Sequence, residues 1–171
     1  GLLGGVAISL GVVGARRRVA ATLVYSVVGG LAVTGILQGW FGWLQGDYWL
    51  NAVAVGLTLL AMAGTIVGLA SLLGRPGVGV GALLFLLIAN PISAAQQPVE
   101  FLLAPWGAIG QFFPPGAAVT LLRDLSYFAR ADALVPWLVL AGWAVLGLAL
   151  SMVGHSRNAM ATPAEAVSEA N

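Results

Sequence analysis

The chain has 171 residues, of which 60% are hydrophobic and 8% are charged. A soluble globular domain carries about 25% charged residues, so this composition excludes one and indicates helices buried in a membrane. The sequence contains no cysteine, which excludes disulfides, thiol nucleophiles and thiolate metal sites. With one histidine, a histidine-based metal cluster is excluded as well, and we expect no cofactor.

The apolar runs predict an all-α bundle over residues 1–157 that crosses a membrane about five times. The predicted spans cover residues 1–14, 20–37, 49–73, 78–95 and 136–154. A crossing needs about 20 residues, so we expect the first run to be the end of a helix that begins before Gly1. Residues 158–171 are small and polar, which predicts a disordered cytoplasmic tail.

Charge placement predicts the orientation of this bundle. Arg16, Arg17 and Arg18 follow the first run, and Arg75 lies in the tight turn after the third. Because arginine concentrates on the cytoplasmic side of a membrane, these turns and the C-terminus are predicted to be cytoplasmic. The loop at residues 38–49 is rich in Trp and Tyr, which places it at the outer interface. The four arginines are also the predicted contact with a cytoplasmic partner, with simple topology markers as the alternative.

Ionisable groups are absent from the middle of every predicted span. Such groups usually mark proton relays and ion-coupled carriers, so the sequence argues against a transporter that supplies its own driving force. Ser151 and His155 are four residues apart and would share a helix face, as a hydrolytic dyad requires. A polar helix end beside an interfacial histidine is the simpler interpretation, because no nucleophile elbow is present.

Glycine spacing gives two further signals. The pairs Gly64/Gly68 and Gly77/Gly81 have the spacing of close helix crossings, either within the bundle or at an oligomer interface. The glycine-rich residues 77–81 do not form a nucleotide loop, because they open a membrane helix without the strand and lysine that such a loop needs. Packing within the bundle is the default expectation.

Residues 90–128 are too interrupted for a span and too apolar for a solvated loop. Five of the eight prolines lie here, at positions 91, 98, 105, 114 and 115. The Asn90-Pro91 pair predicts a helix kink or a helix end, with the Asn90 and Ser93 side chains available to the freed backbone. Residues 96–130 are predicted to form a re-entrant or interfacial helical hairpin at the outer surface.

Within this hairpin, the pattern predicts a short helix, a turn at residues 114–116 and a second helix over residues 117–128. Four side chains at helical spacing form its expected apolar face: Leu121, Leu122, Leu125 and Phe128. The residues predicted to line a substrate path or outer gate are Asn90, Pro91, Trp106, Gln111, Pro114, Pro115, Arg123 and Asp124. For the charged pair in this group, a solvated polar face is the alternative.

One pattern in this region carries a family resemblance. It combines a broken span, an outer proline- and aromatic-rich segment, a short helix with Leu-Leu-Arg, and a final span. The residues that carry it are Pro98, Phe101, Leu102, Pro105, Trp106, Ile109, Pro114, Pro115, Leu121, Leu122 and Arg123. The pattern resembles the C-terminal membrane bundle of type-2 ABC exporter permeases, especially the actinobacterial branch related to the phage infection protein.

That resemblance implies a dimer of permease halves in a bacterial plasma membrane, with a cytoplasmic ATP-binding subunit. It also implies export of a lipid-like or amphipathic substrate, with the outer hairpin closing the outward end of the path. The alternative from a different class is a non-transporting membrane scaffold or accessory subunit of a larger complex. An intramembrane enzyme is the least favoured reading, because the sequence offers no catalytic cluster and no metal site.

Overall fold

A computed structural model describes residues 1–93, 101–128 and 132–168 of the chain, the side chains of Ala15 and of residues 155–168 excepted. The helices are α1 (Leu2–Gly11), α2 (Ala15–Thr34), α3 (Tyr48–Leu73), α4 (Arg75–Leu83), α5 (Trp106–Gly110), α6 (Pro114–Tyr127) and α7 (Leu134–Ser168). Two π-helical segments, Gly35–Trp40 and Leu84–Ala89, continue α2 and α4. These ranges contain no strand, so the predicted all-α class is confirmed for them.

Three helical stretches are long and apolar enough to cross a membrane: Arg16–Trp40, Tyr48–Leu73 and Leu134–Gly154. The runs predicted as spans at residues 1–14 and 78–95 form the shorter apolar helices Leu2–Gly11 and Arg75–Ala89. The prediction of five spans is therefore not confirmed. Residues 94–100, which hold Pro98, and residues 129–131 lie outside the described part, so the ends of the predicted hairpin do too.

The last helix is longer than predicted. Its apolar stretch ends at Gly154, as expected, but the backbone stays helical to Ser168. The helix thus includes residues 158–168, which the sequence analysis assigned to a disordered tail. Ala, Glu and Met in this segment are good helix formers, which the prediction did not weigh.

Helix α3 lies at the centre of the bundle and contacts α1, α2, α4, α6 and α7. It owes this position to a run of small and β-branched side chains, since Ala54, Ala61, Ala63 and Ile66 are fully buried. By contrast, only 22% of the apolar window is buried in Arg16–Trp40 and in Leu134–Gly154, as expected of lipid-facing helices. The hydrophobic core is therefore arranged around one helix.

Glycines set the closest helix contacts. Gly30 of α2 packs against Ala52 and Gly56 of α3, where an added Cβ would lie 2.7 and 2.8 Å from backbone atoms. Gly77 and Gly81 of α4 likewise pack against α3. The spacing-four pairs are thus used inside the bundle, the default of the two expectations.

The contacts along α3 also give the direction of its neighbours. Gln38 at the end of α2 pairs with Asn51 at the start of α3, so these helices are antiparallel. Gly147 and Gly154 of α7 pack against Gly64 and Ser71 of α3, so these helices are parallel. We call the end with the turns at residues 12–14 and 74 the arginine end, and the end with residues 41–47 the loop end.

Candidate functional site at the α5–α6 hairpin

The first predicted site residues lie where the second π-helical segment ends. Asn90 is its C-cap, and the Asn90 N–H donates to the Phe85 carbonyl at 2.9 Å. The Asn90 carbonyl accepts from the Ser93 N–H at 3.2 Å and from the Ser93 hydroxyl at 2.7 Å. The helix thus ends before Pro91, and Ser93 supplies a partner for the backbone, as the sequence predicted. The side chains of Asn90 and Pro91 are exposed.

The tip of the hairpin packs directly against this turn. Gly107 and Gly110 of α5 are buried, and Gly110 faces the carbonyl oxygen of Ile92 so closely that no Cβ would fit. Gly116 of α6 faces the carbonyl oxygen of Gly110 in the same way. Three backbone segments therefore meet at the tip, which only residues without a side chain permit. Trp106 begins α5 and is half-exposed.

Trp143 of α7 anchors the tip to the bundle. Its Nε1–H donates to the carbonyl of Phe112 at 2.8 Å. Its ring lies 5.7 Å from the ring of Phe113 and 6.0 Å from that of Phe85, measured between centroids. Trp143 was not among the predicted site residues, because it lies in an ordinary apolar span and its partner is 31 positions away. The signal in the sequence that could have identified Trp143 was its position in the interior of a predicted span, away from both ends.

The proline pair begins α6 and does not form a separate turn before it. Pro114 and Pro115 occupy the first two helical positions and are buried, whereas the predicted helix began at Ala117. This prediction was wrong by one turn, because proline lacks an N–H that the first turn leaves unused and has a backbone angle suited to a helix start. Phe113 is the N-cap residue.

Gln111 lies beside this helix start and is half-buried. Its Oε1 accepts a short hydrogen bond from the Thr120 hydroxyl, at 2.5 Å. Its Nε2 is buried and has no hydrogen-bond partner among the described residues. An unsatisfied buried amide costs free energy, so this side chain leaves one buried donor without a partner among the described residues at the hairpin tip.

The other end of α6 reaches the loop end. The Tyr127 hydroxyl donates to the carbonyl of Trp43, and Gly46, with φ of 83°, faces the Leu125 carbonyl oxygen. Leu121 is fully buried, while Leu122 and Leu125 pack beside it, as the predicted apolar face requires. Phe128 departs from that face, because it is 57% exposed.

The charged pair of α6 lies on its outward side. Arg123 is exposed and Asp124 is half-buried. Burial raises the pKa of Asp124 above the ordinary value of 3.8, and the adjacent Arg123 guanidinium opposes that shift. Gln111 lies just before the start of α6, whereas Arg123 and Asp124 lie near its other end. The predicted gate residues are therefore divided between the tip and the loop end.

A polar cluster that the sequence analysis missed holds the loop end together. Asn51 is fully buried, and its Nδ2 donates to Gln38 Oε1 at 3.0 Å and to the Gln45 carbonyl at 2.8 Å. Asp47 caps α3 by accepting from the Leu50 N–H at 2.9 Å. A single Asn one turn inside an apolar span, just after an Asp, was the signal for this cluster.

The predicted partner-contact residues lie at the arginine end, away from the hairpin. Arg16, Arg17 and Arg75 are exposed. Arg18 is half-buried, and its Nε donates to the Val12 carbonyl at 2.7 Å. The structure therefore brings these arginines to one end of the bundle but not into contact with the hairpin.

The chemistry available at the hairpin is packing and hydrogen bonding. The described residues contain no group of His, Asp and Glu side chains that could hold a metal ion. The Ser151 hydroxyl donates to the Gly147 carbonyl at 3.0 Å within its own helix, which favours the simpler reading of that serine. Comparisons of the chain with protein-family models, curated proteins and solved structures found no match.

Proposed function

We propose that this chain is a permease-type membrane subunit that moves a lipid-like or amphipathic molecule, with the α5–α6 hairpin as its gate. The observation that carries the proposal is the position of the hairpin. Its tip packs against Ile92 and Trp143, and its second arm reaches the loop end at Tyr127. Irregular backbone at membrane depth is tolerated where it packs against protein or lines a cavity.

The length of α6 supports a re-entrant hairpin. The helix has 14 residues, and at 1.5 Å per residue it is about 21 Å long. The hydrocarbon core of a bilayer is about 30 Å thick. If the loop end lies at the membrane surface, the tip lies well inside the membrane. A hairpin that enters from one side and does not cross fits a gate better than a span.

The side chains near the tip favour an amphipathic substrate. Gln111 has a buried N–H donor without a partner among the described residues, and Trp106, Ile109 and Phe112 expose apolar side chains nearby in the sequence. This combination fits a molecule with hydrocarbon chains and a polar group that accepts hydrogen bonds. In this proposal, Arg123 and Asp124 lie nearer the membrane surface and contact the polar part of the substrate.

The driving force comes from a partner in this proposal. The three candidate spans contain no Asp, Glu or Lys, and arginine occurs only at the start of the first. A proton or ion relay inside the membrane needs such groups. We therefore propose a cytoplasmic ATP-binding subunit and a second permease half, in a bacterial plasma membrane with the arginine end inside.

The test is to purify the chain from native membranes with its bound subunits and to measure ATP hydrolysis in lipid vesicles. The proposal expects an ATP-binding subunit whose activity rises with an amphiphile and falls in Gln111→Leu, without loss of assembly. The matched variant Thr120→Ser keeps the hydroxyl donor to Gln111 and should retain activity. An assembly without an ATP-binding subunit, or a Gln111→Leu variant with full stimulation, would refute the permease role.

One observation favours a second candidate, a non-transporting scaffold. The turns at the arginine end are short: residues 12–14 join α1 to α2, and Gly74 alone joins α3 to α4. Neither turn holds the extra helix with which such permeases contact an ATPase. A scaffold would co-purify with other membrane subunits, and hairpin variants that fold would leave the activity of those subunits unchanged.

A further inference from the structure

We propose that Arg16, Arg17 and Arg75 form a docking surface for the headgroups of anionic phospholipids, in the membrane leaflet at the arginine end. The inference does not depend on transport, because it concerns the opposite end of the bundle from the hairpin gate. It assigns a ligand to three charges that the fold itself leaves unused.

The three side chains are exposed and have no carboxylate partner among the described residues. Arg18 differs, since its Nε bonds to the Val12 carbonyl and so closes the turn between α1 and α2. Arg18 is therefore part of the local structure, whereas its two neighbours and Arg75 are free to bind. A guanidinium group matches a phosphate with two parallel hydrogen bonds.

The described aspartates all lie at the loop end, together with Arg123. Asp47, Asp124 and Asp132 belong to the loop end: Asp47 caps α3 there, and Asp132 accepts from the Leu134 N–H where α7 begins. No described carboxylate lies at the arginine end. Among the side chains that the structure describes, that end therefore carries positive charge only, which attracts anionic lipid headgroups at a membrane surface.

Exposed apolar side chains next to the arginines favour a lipid over an acidic soluble protein. Leu10 and Val13 precede the first two arginines and are 63% and 82% exposed, and Leu73 precedes Arg75 and is 54% exposed. A phospholipid offers a phosphate for the guanidinium groups and acyl chains for these side chains. An acidic protein surface would satisfy the charges but leave this apolar surface in water.

The experiment uses the full chain in nanodiscs of equal phosphatidylglycerol and phosphatidylcholine, with native mass spectrometry of the lipids retained. Each of Arg16→Gln, Arg17→Gln and Arg75→Gln should lower the ratio of phosphatidylglycerol to phosphatidylcholine roughly fivefold, the effect typical of one basic residue at an anionic membrane surface. Raising the salt concentration should lower the wild-type ratio as well. The corresponding Lys variants should keep most of the preference, because they keep the charge.

Asp132→Asn is the control, since it removes one exposed charge at the loop end. It should not lower the lipid ratio. An unchanged ratio in all three arginine-end variants, or an equal loss in Asp132→Asn, would overturn the proposal. Loss of a co-purifying protein subunit with unchanged lipid preference would also overturn it and would assign the surface to that subunit. Equal melting temperatures would show that the variants are folded.

Discussion

Gly147 of α7 and Gly64 of α3 lie in backbone contact: a Cβ atom added to Gly147 would be 2.7 Å from the Gly64 carbonyl oxygen. Gly68 extends the contact, because it faces the carbonyl oxygen of Gly147 at 2.6 Å from an added Cβ. Between membrane helices the hydrophobic effect gives little driving force, so close backbone packing is the main source of stability. The α3–α7 contact thus depends on three residues without side chains.

Gly147→Ala should destabilise the bundle by roughly 1–3 kcal/mol, the usual cost of overpacking. Gly142→Ala is the control, since Gly142 lies on the same helix, is exposed, and has no atom within 4 Å of an added Cβ. That control should be neutral or slightly stabilising, because alanine favours helix. Thermal unfolding in detergent measures both variants. Equal melting temperatures would contradict the packing described for α3 and α7.

Trp143→Phe should loosen the hairpin tip. The substitution keeps an aromatic ring near Phe113 but removes the N–H that donates to the Phe112 carbonyl, at an expected cost of about 1–3 kcal/mol. Amide hydrogen exchange of residues 106–113 should rise more than exchange elsewhere. Trp137→Phe is the control, because Trp137 is half-buried on the same helix and its ring packs against the core. Equal exchange in both variants would show that the hydrogen bond does not hold the tip.

Asn51→Ala should destabilise the packing of residues 41–47 at the loop end. The variant loses two hydrogen bonds that join α3 to Gln38 and Gln45, and we expect a loss of about 1–3 kcal/mol. Limited proteolysis should then cut residues 41–47 faster. Thr58→Val is the control on the same helix, since its hydroxyl bonds only to the Ala54 carbonyl, and about 0.5 kcal/mol is expected. Unchanged proteolysis in Asn51→Ala would contradict this role.

Asp124 should make stability depend on pH. Burial raises its native pKa above 3.8, so the folded state binds this proton more tightly than the unfolded state. The stability that this group contributes is complete below the unfolded pKa and is lost as pH rises through the native pKa. Asp124→Asn should therefore have the wild-type melting temperature at a pH near the unfolded pKa and a higher one than the wild type at neutral pH.

Arg123→Gln gives the second part of this test. The Arg123 guanidinium opposes the rise in the pKa of Asp124, so its removal should raise that pKa further. The difference in melting temperature at neutral pH between chains with Asp124 and chains with Asn at this position should then increase. Thermal unfolding measured from about pH 3.5 to 7 covers both the unfolded-state pKa of Asp124 and its raised native pKa. A wild-type melting temperature that falls relative to Asp124→Asn on acidification would contradict the direction of the shift.

The composition and the run lengths determined the class of this protein, because membrane helices are a local property of about 20 residues. The span predicted at residues 49–73 matches the helix Tyr48–Leu73 almost residue for residue. The end of a helix at Asn90 was also local, since Pro91 has no N–H with which to continue the helix, although Asn90 itself keeps helical backbone angles. The position of four arginines in the turns after the first and third apolar runs could likewise be read along the chain.

Only the tertiary structure decided which of these residues act together. Trp143 meets Phe112, Thr120 meets Gln111, and Tyr127 meets Trp43, over separations of 31, 9 and 84 residues. No periodicity encodes such pairs, because each depends on how far two helices slide along each other before their glycines meet. The proline pair divides in the same way: its chemistry suits the first turn of a helix and so could have been read locally, but its burial against the bundle was decided by the tertiary structure.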